Sequence, residues 1–251
     1  MPEGPPLTRD KVFSGSAAAV SGIPDGATIL LGGFGGVGVP ENLLVAMADH
    51  PARELTIVTN HAGFGEHGLA VLLRQRKVRK LICTYAFHRS AFVFRELYMA
   101  GKIELEQIPQ GTMAERIRAA GAGIPAFFTP TGVGTQAAEG KESRSFGGRE
   151  TLLERALPGD VAIIKAHKAD RLGNLVYRGT AANFNPVMAA AAPLIVKPTK
   201  ETPADLYFVS SAVCSVSSSL MESTLTTSQP SFLSAPSTPA FQSCPQSVSS
   251  E

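Results

Sequence analysis

The chain has 251 residues, of which 44% are hydrophobic and 18% are charged, so it can bury a sizeable core as one large domain or two small ones. Its formal net charge is +2, and positive and negative residues are interleaved without a basic stripe or an acidic run. The composition therefore predicts partners other than nucleic acid.

Short apolar, β-branched runs alternate with helix-forming stretches along the chain. Repeats of strand, helix and strand predict a parallel sheet, and right-handed crossovers place helices on both of its faces. The expected fold class is therefore α/β. In chain order, the pattern predicts a helix over 7–21, strand 27–31, helix 41–49, strand 55–58, helix 66–75, strand 78–85, helix 89–100, strand 103–108, helix 112–120 and strand 160–166.

The pattern changes between residues 142 and 157, where ESRSF and RETLL flank Gly147 and Gly148. A two-residue turn of this kind needs positive φ, which glycine adopts without a steric penalty. We expect a small antiparallel β-hairpin there, added to the main sheet.

The composition changes again near Pro193. All 24 glycines lie at or before Gly179, whereas residues 193–251 contain 15 serines and seven prolines. Such a segment offers little contiguous apolar surface to offset the entropy of ordering it. We therefore divide the chain into a domain over 1–192 and a disordered tail over 193–251.

The densest glycine cluster follows the first predicted parallel strand and precedes a helix that begins near Pro40. Glycines there allow backbone N–H groups to approach a ligand closely, and a helix N-terminus favours negative charge. A phosphate, a carboxylate or a developing oxyanion could bind at this loop. The candidate binding residues are Gly32, Gly33, Phe34, Gly35, Gly36 and Gly38.

The spacing of Gly33, Gly35 and Gly38 also satisfies the fingerprint of dinucleotide-binding proteins. That fold requires an acidic residue after the next strand, whereas LTIV is followed by Thr59, Asn60 and His61. A nicotinamide-dependent oxidoreductase is therefore an alternative, but a less favoured one.

Longer motifs resemble the A subunits of class I coenzyme A transferases. The resemblance starts at Asp25-Gly26 and the Gly-Gly-Phe loop and continues to the NFNP stretch. The resemblance covers about three-quarters of the chain. Within the family, the sequence is most similar to the A subunits of 3-oxoadipate and acetoacetate-type 3-oxoacid enzymes. The intermediate motifs are NHAGFGEHGL, VRKLIC, IELEQIPQGTMAERIRAAGAGIPAFFTPTGVGT, LLERAL and IIKAHKADRLGNLVYRGTAANFNP.

This resemblance implies an enzyme in which a glutamate attacks an acyl-CoA thioester, an example of covalent catalysis by a carboxylate. The family's glutamate lies in a Ser-Glu-Asn-Gly motif of the B subunit, and that tetrapeptide is absent from this sequence. We therefore expect a B-subunit partner, acyl-CoA and a 3-oxoacid as substrates, and no cofactor apart from coenzyme A as part of the substrate. Glu41, at a helix start, is interpreted as a carboxylate favourable to the helix dipole.

Gln110 is the strongest candidate for a catalytic side chain. It follows strand IELEQI, and ligands of open parallel sheets bind at the carboxyl ends of the strands. The resemblance places the glutamine of its Pro-Gln-Gly-Thr motif beside the catalytic glutamate, where it can stabilise an oxyanion or position the substrate. The alternative is a glutamine that caps the next helix.

Asn60 and His61 are candidate substrate-binding residues at the end of another strand. Asn60 matches the first residue of a family Asn-Asn pair, whereas His61 departs from the second. Histidine can donate a hydrogen bond as an amide does, but it can also become charged near neutral pH. An ordinary loop histidine is an equally favoured interpretation.

The remaining features predict no further site. The three cysteines are not spaced as metal ligands or as a disulfide framework, and no histidine pair with carboxylates predicts a metal site. The apolar runs are shorter than the roughly 18 residues that a membrane span needs, so no membrane partner is expected. The first residues lack a secretory signal, and we expect a cytoplasmic protein. Solvation, capping or ion pairing is the expected role of His88, Arg89, Lys165, His167, Lys168, Arg171, Arg178, Asn183 and the basic run 74–80.

A catalytically silent fragment is the other alternative. Family A subunits continue past NFNP with a further strand and helix, and the serine-rich tail stands in that place. Loss of the final strand would expose an edge of the sheet.

Overall fold

The structure is a computed structural model that describes residues 12–170, 173–198 and 207–211. Its helices are α1 (Ser16–Val20), α2 (Glu41–Asp49), α3 (Leu69–Arg74), α4 (Phe92–Met99), α5 (Gln110–Gly121) and α6 (Asn185–Ala190). Its strands are β1 (Val12–Phe13), β2 (Thr28–Leu31), β3 (Leu55–His61), β4 (Val78–Tyr85), β5 (Glu104–Gln107), β6 (Ala126–Thr129), β7 (Ser143–Phe146), β8 (Arg149–Arg155), β9 (Val161–Ile163), β10 (Lys168–Ala169), β11 (Leu175–Val176), β12 (Leu194–Pro198) and β13 (Tyr207–Ser211).

The central sheet has the strand order β1-β13-β12-β9-β2-β3-β4-β5. All pairings from β12 to β5 are parallel, and β13 and β1 extend the sheet with antiparallel pairings. Every residue of β3 is buried, as expected for a strand covered on both faces. The α/β fold class predicted from the sequence is confirmed.

Helices cover both faces of the sheet. Since alternate strand residues point to opposite sides, each strand contributes side chains to a core on either face. Ile29 and Leu31 of β2 pack in a core with residues of α1–α4, whereas Leu30 packs in a second core with residues of α5 and α6. Burial of each such side chain stabilises the fold by about 1.5–3 kcal/mol. The prediction of helices on both faces is confirmed.

Helix boundaries depend on local glycines and on strand pairing. The prediction for 41–49 is confirmed by α2, whereas the predicted helix over 7–21 is shorter, because β1 pairs with β13 and α1 begins only at Ser16. Residues 7–11 lie outside the described residues. The predicted helix over 66–75 begins only at Leu69, since Gly65 and Gly68 have φ of 58° and 54°, outside the helical region.

The predicted hairpin is confirmed. Strands β7 and β8 pair antiparallel, and the turn residues Gly147 and Gly148 have φ of 57° and 77°. Strand β6, which the sequence pattern did not predict, joins the other side of β8 to complete a three-stranded sheet.

The central sheet continues past the predicted domain boundary at residue 192. Strand β12 continues the central sheet by pairing parallel to β9, and Val196 is fully buried. Strand β13 pairs with β12, and all described residues belong to one compact unit. The strand after the NFNP stretch, which the sequence interpretation treated as replaced, is therefore present. Residues 199–206 and 212–251 of the predicted tail lie outside the described residues.

Candidate functional site

A cleft of about 390 Å³ lies at the carboxyl end of the parallel sheet. Four consecutive strands in the sheet, β2 to β5, each contribute lining residues at or just after their last position, as expected for a ligand site in an open α/β sheet. The lining residues are Phe34, Gly35, Asn60, His61, Phe64, Thr84, Tyr85 and Gln110. Gln110, Asn60 and His61, predicted separately from the sequence, are thus brought together.

The glycine-rich loop after β2 turns back on itself between Phe34 and Val37. Two backbone hydrogen bonds join these residues, with N–O distances of 2.9 and 3.1 Å. Gly35 lies at the tip with φ of 58°, a value that favours glycine. The loop residues Phe34 and Gly35 therefore line the cleft, as the sequence predicts for a binding loop.

The carbonyl groups of this loop are held by side chains. His61 forms a hydrogen bond with the carbonyl oxygen of Gly35. Asn183 donates a hydrogen bond to the carbonyl oxygen of Val37, and Asn185 donates one to the carbonyl oxygen of Gly38. By contrast, the N–H groups of Gly35 and Gly36 make no hydrogen bond to any residue that the structure describes. The turn therefore presents unused backbone donors, the groups that an oxyanion requires.

The remaining predicted glycines do not line the cleft. Gly32 and Gly36 border a neighbouring cavity of about 320 Å³, and Gly36 and Gly38 border a third of about 600 Å³. A Cβ atom at Gly33 would lie 2.7 Å from the side chain of Val39, so this glycine is needed for close packing.

Gly32 is required by a buried asparagine that the sequence did not single out. A Cβ atom on Gly32 would lie 2.0 Å from Oδ1 of Asn185, which is fully buried. That oxygen accepts a hydrogen bond from the backbone N–H of Lys165, while the amide nitrogen donates to the carbonyl groups of Gly38 and Ala181. Asn185 therefore joins the glycine loop to two distant loops.

Substitution of Gly32 with alanine should lower the free energy of unfolding by about 2–3 kcal/mol, because Asn185 must move and lose hydrogen bonds. Chemical denaturation of the full chain measures this change. Gly36→Ala is the matched control, since its Cβ atom would meet nothing within 4 Å. Equal stability of the two variants would contradict the proposed collision.

Gln110 is the first residue of α5 and is exposed at the cleft. Its side chain makes no hydrogen bond to any described residue, and the helix start lacks a side-chain cap. The capping alternative is therefore not supported, and the amide is available to a ligand.

Ion pairs hold the helix that carries Gln110. Arg116 of α5 contacts Glu106 at 3.1 Å and donates to the carbonyl oxygen of Arg155 at 2.8 Å. Lys80 pairs with the same Glu106 at 2.6 Å. Burial alone would raise the pKa of Glu106, but hydrogen bonds from Lys80 and Arg116 hold that pKa below its usual value. These contacts fix α5 against β4, β5 and β8.

Asn60 is buried and is oriented by Thr84, which the sequence pattern did not single out. The side-chain amide of Asn60 donates to the Thr84 hydroxyl at 2.8 Å, and that hydroxyl donates to the main-chain carbonyl oxygen of Asn60 at 2.8 Å. The position of Thr84 near the end of VRKLICTY, the strand beside β3, is the signal that would have found it.

His61 is buried and neutral. The backbone N–H of Gly63 donates to Nδ1 at 3.0 Å, so Nε2 carries the proton and donates to the carbonyl oxygen of Gly35 at 2.8 Å. Burial lowers the pKa of His61 to about 4; the hydrogen bond to Gly35 raises it in part, and nearby His88 lowers it further. The expectation that this histidine can be charged near neutral pH is therefore wrong.

Aromatic rings line one wall of the cleft beside His61. Phe64 lies 4.3 Å from the His61 ring and 4.7 Å from that of His88, and Tyr85 stacks on His88 at 5.3 Å between centroids. His88, interpreted from the sequence as a solvated or capping residue, instead has a buried Nε2 without a partner among the described residues. Burial lowers the pKa of His88, and a backbone hydrogen bond at Gly63 partly opposes this.

Several basic side chains that appeared scattered in the sequence share the cavity of about 600 Å³. Lys165, His167 and Arg178 line it together with Tyr177, whose hydroxyl is buried without a hydrogen-bond partner in the described chain. Burial raises the pKa of Tyr177 to about 12. This cavity borders the glycine loop at Gly36–Gly38, whereas the cleft that contains Gln110 borders the loop at Phe34 and Gly35.

Metal clusters and membrane-spanning helices are both missing from the described ranges. Over 12–170, 173–198 and 207–211, no group of three or more His, Cys, Asp or Glu residues could hold a metal ion. Within the same ranges, every helix is too short or too polar to span a bilayer.

Comparison with known proteins gives a consistent result. A coenzyme A transferase family profile matches residues 14–202. The A subunit of the 3-oxoadipate CoA-transferase of Pseudomonas putida is 55% identical over 183 residues, or 73% of this chain and 79% of that protein. The A subunit of the probable succinyl-CoA:3-ketoacid coenzyme A transferase of Bacillus subtilis is 48% identical over 191 residues, or 76% of this chain and 79% of that protein. An acyl-CoA transferase apoenzyme structure from Escherichia coli O157:H7 has a TM-score of 0.67 at 22% identity, covering 78% of this chain and 43% of that chain.

A parallel sheet with a cleft beside a glycine-rich loop at its carboxyl end, together with the family match, defines the class, and the chain belongs to the coenzyme A transferase family. Within it, the chain is an A subunit of the succinyl-CoA:3-ketoacid or 3-oxoadipate type. The resemblance identified from the sequence motifs is confirmed, and the transferase is favoured over the dinucleotide-dependent oxidoreductase.

Proposed function

We propose that this chain is the A subunit of a heteromeric enzyme that transfers coenzyme A between succinyl-CoA and a 3-oxoacid, either 3-oxoadipate or acetoacetate. A B subunit supplies the catalytic glutamate, and no cofactor is required besides the coenzyme A of the substrate. The composition of the cleft supports this assignment most directly: it combines Gln110, Asn60 and a glycine turn, and none of its eight lining residues is Asp or Glu. This composition supports a nucleophile supplied by another chain.

The reaction proceeds through two kinds of acyl intermediate. The partner's glutamate attacks the succinyl-CoA carbonyl, and the resulting tetrahedral oxyanion collapses to an acyl-glutamyl anhydride with release of CoA thiolate. The thiolate attacks the glutamyl carbonyl, forming a glutamyl-CoA thioester and freeing succinate. The 3-oxoacid carboxylate attacks this thioester, and the released thiolate then attacks the new acyl carbonyl. This last step yields 3-oxoacyl-CoA and regenerates the glutamate.

Each of these attacks forms an oxyanion, which donors already in position stabilise. Gln110 is exposed at the cleft, and Gly35, whose N–H has no partner among the described residues, lines the same cleft. These are neutral donors, so they stabilise negative charge that develops during the reaction without holding a carboxylate substrate strongly beforehand. The role assigned to Gln110 is therefore oxyanion stabilisation and substrate positioning.

Exposed apolar groups around the cleft support a protein partner at this edge of the sheet. Phe34, Phe64 and Tyr85 expose 45%, 40% and 57% of their surface although all three line the cleft. Aromatic residues are enriched at protein interfaces, and a docked partner would remove this surface from water. Docking there would also exclude water from the thioester.

Co-expression with a B subunit that carries the Ser-Glu-Asn-Gly motif tests the assignment. The purified complex should exchange CoA between succinyl-CoA and acetoacetate or 3-oxoadipate, whereas the chain alone should not. Following incubation with succinyl-CoA, mass spectrometry should detect the glutamyl-CoA adduct on the B subunit. Exchange by the chain alone would contradict the shared active site.

A silent fragment is the remaining candidate, and it predicts that no soluble complex forms. The presence of β12 beside β9 argues against it, because the sheet continues where the fragment hypothesis expected a missing strand. A complex that forms but does not exchange CoA would favour the silent protein. The cytoplasmic location stays a prediction.

A further inference from the structure

Two neighbouring loops share one sequence pattern and one conformation. Residues 33–38 and 63–68 both read Gly-Phe-Gly-x-x-Gly, and they follow the adjacent parallel strands β2 and β3. Both turn tips are closed by a bridge, between Phe34 and Val37 in one loop and between Phe64 and His67 in the other. The equivalent glycines have positive φ in both, with values of 118°, 58° and 74° at Gly33, Gly35 and Gly38, and 87°, 58° and 54° at Gly63, Gly65 and Gly68.

The two loops differ in how their tips are anchored. The N–H of Gly65 donates to the carbonyl oxygen of Ser90 at 2.8 Å, which fastens the second turn to the loop after β4. The equivalent N–H of Gly35 has no partner among the described residues. The first turn therefore keeps its tip amide unused, and its tip is held instead through the Gly35 carbonyl group.

His61 makes that contact and belongs to the second loop's own strand. It donates from Nε2 to Gly35 at 2.8 Å and accepts at Nδ1 from Gly63 at 3.0 Å, so one imidazole connects both loops. The residue is 7% exposed, and the centroid of its ring lies 4.3 Å from that of Phe64. Both ring nitrogens are occupied, so His61 has no free donor or acceptor for a substrate.

We propose that His61 is a positioning residue, which ties the first glycine loop to the second and thereby aims the Gly35 N–H group at the reacting carbonyl. Its effect on catalysis rests on the proposed CoA-transferase function, whereas its effect on the loop does not. The titratable groups that face the ring or share the cavity between the loops are Glu41 of α2, His67 of the second loop, and His88 and Tyr85 from the end of β4.

Two substitutions separate the two hydrogen bonds of His61. In His61→Gln, the amide nitrogen can reach the former Nε2 position and donate to Gly35, but the acceptor for Gly63 is lost. In His61→Asn, the shorter amide can accept from Gly63, but it cannot reach Gly35. The pair therefore tests the contact between the loops against the contact within the second loop.

Amide hydrogen exchange of the full chain measures directly how firmly the first glycine loop is held. His61→Asn should speed exchange of the Phe34 and Val37 amides about tenfold, the effect of losing one hydrogen bond, whereas His61→Gln should stay within about threefold of wild type. In the assembled enzyme, kcat should fall about tenfold in His61→Asn, with KM within twofold of the wild-type value. His61→Gln should retain most of the wild-type kcat.

Equal behaviour of the two variants in hydrogen exchange would overturn the tie between the loops. Nitrogen NMR of the wild-type chain provides a check that needs no variant: at pH 7 His61 should show a protonated Nε2 and an unprotonated Nδ1, and the opposite tautomer would overturn the proposal even if His61→Asn failed to fold. If the complex showed no CoA exchange, the loop result would still stand, so failure of the proposed function is distinguishable.

Discussion

Replacement of Gln110 with alanine in the assembled enzyme is expected to lower kcat for CoA exchange by about 100-fold to 1,000-fold, the effect of removing one oxyanion donor. Gln110 is an exposed polar side chain of the cleft and makes no hydrogen bond to a described residue, so it is free to contact the developing oxyanion. Steady-state kinetics with succinyl-CoA and acetoacetate measures the change. KM should change much less, because the donor acts mainly in the transition state.

The stability of this variant should be close to that of the wild type. Gln110 lies in the first turn of α5 with its side chain exposed, and alanine is a good helix former, so the free energy of unfolding should change by less than about 0.5 kcal/mol. Gln136→Ala is a matched control, since Gln136 is also exposed but lies outside the cleft. A kcat within threefold of wild type in Gln110→Ala would remove this residue from the mechanism.

The sequence predicts the location of the site better than its internal contacts. Gln110 and Asn60 were found because both follow parallel strands, and the carboxyl ends of parallel strands meet at one edge of the sheet. The hydrogen bond from His61 to Gly35 joins residues 26 positions apart, and the contact of Asn185 with Gly38 spans 147 positions. No local pattern encodes such pairings, because they depend on how two loops pack.

The C-terminal strands were missed for a different reason. The composition of residues 193–251 is dominated by serine and proline, and this average conceals the apolar run Leu194-Ile195-Val196. That run forms β12 because β9 offers an unpaired parallel edge next to it, which is a tertiary effect. Burial likewise decides the charge of His61: a free histidine titrates near neutral pH, but this ring is taken out of water.

The stability of the chain is expected to fall by about 2 kcal/mol between pH 7 and pH 5 as a consequence of His61. The pKa of this histidine is about 4 in the fold and 6.5 in its ordinary state. Below pH 6.5 the unfolded chain therefore binds a proton that the folded chain does not, so the stabilising contribution is complete above pH 6.5 and is lost as the pH falls towards 4. Urea denaturation at half-unit pH intervals measures this slope.

His61→Asn isolates the contribution, because asparagine does not titrate. Its stability should be lower at pH 7, but the loss between pH 7 and pH 5 should shrink by about the 2 kcal/mol assigned to His61. Burial also lowers the pKa of His88, which adds to the slope with the same sign, so His88→Asn serves as the second reference. The lowered pKa of Glu106 changes the free energy of unfolding only below about pH 4.5, its ordinary pKa, and this lies outside the range from pH 7 to pH 5. An unchanged slope in His61→Asn would mean that the imidazole takes up its proton in the fold over the same pH range as in the unfolded chain, and the protonated Nδ1 could then no longer accept from Gly63.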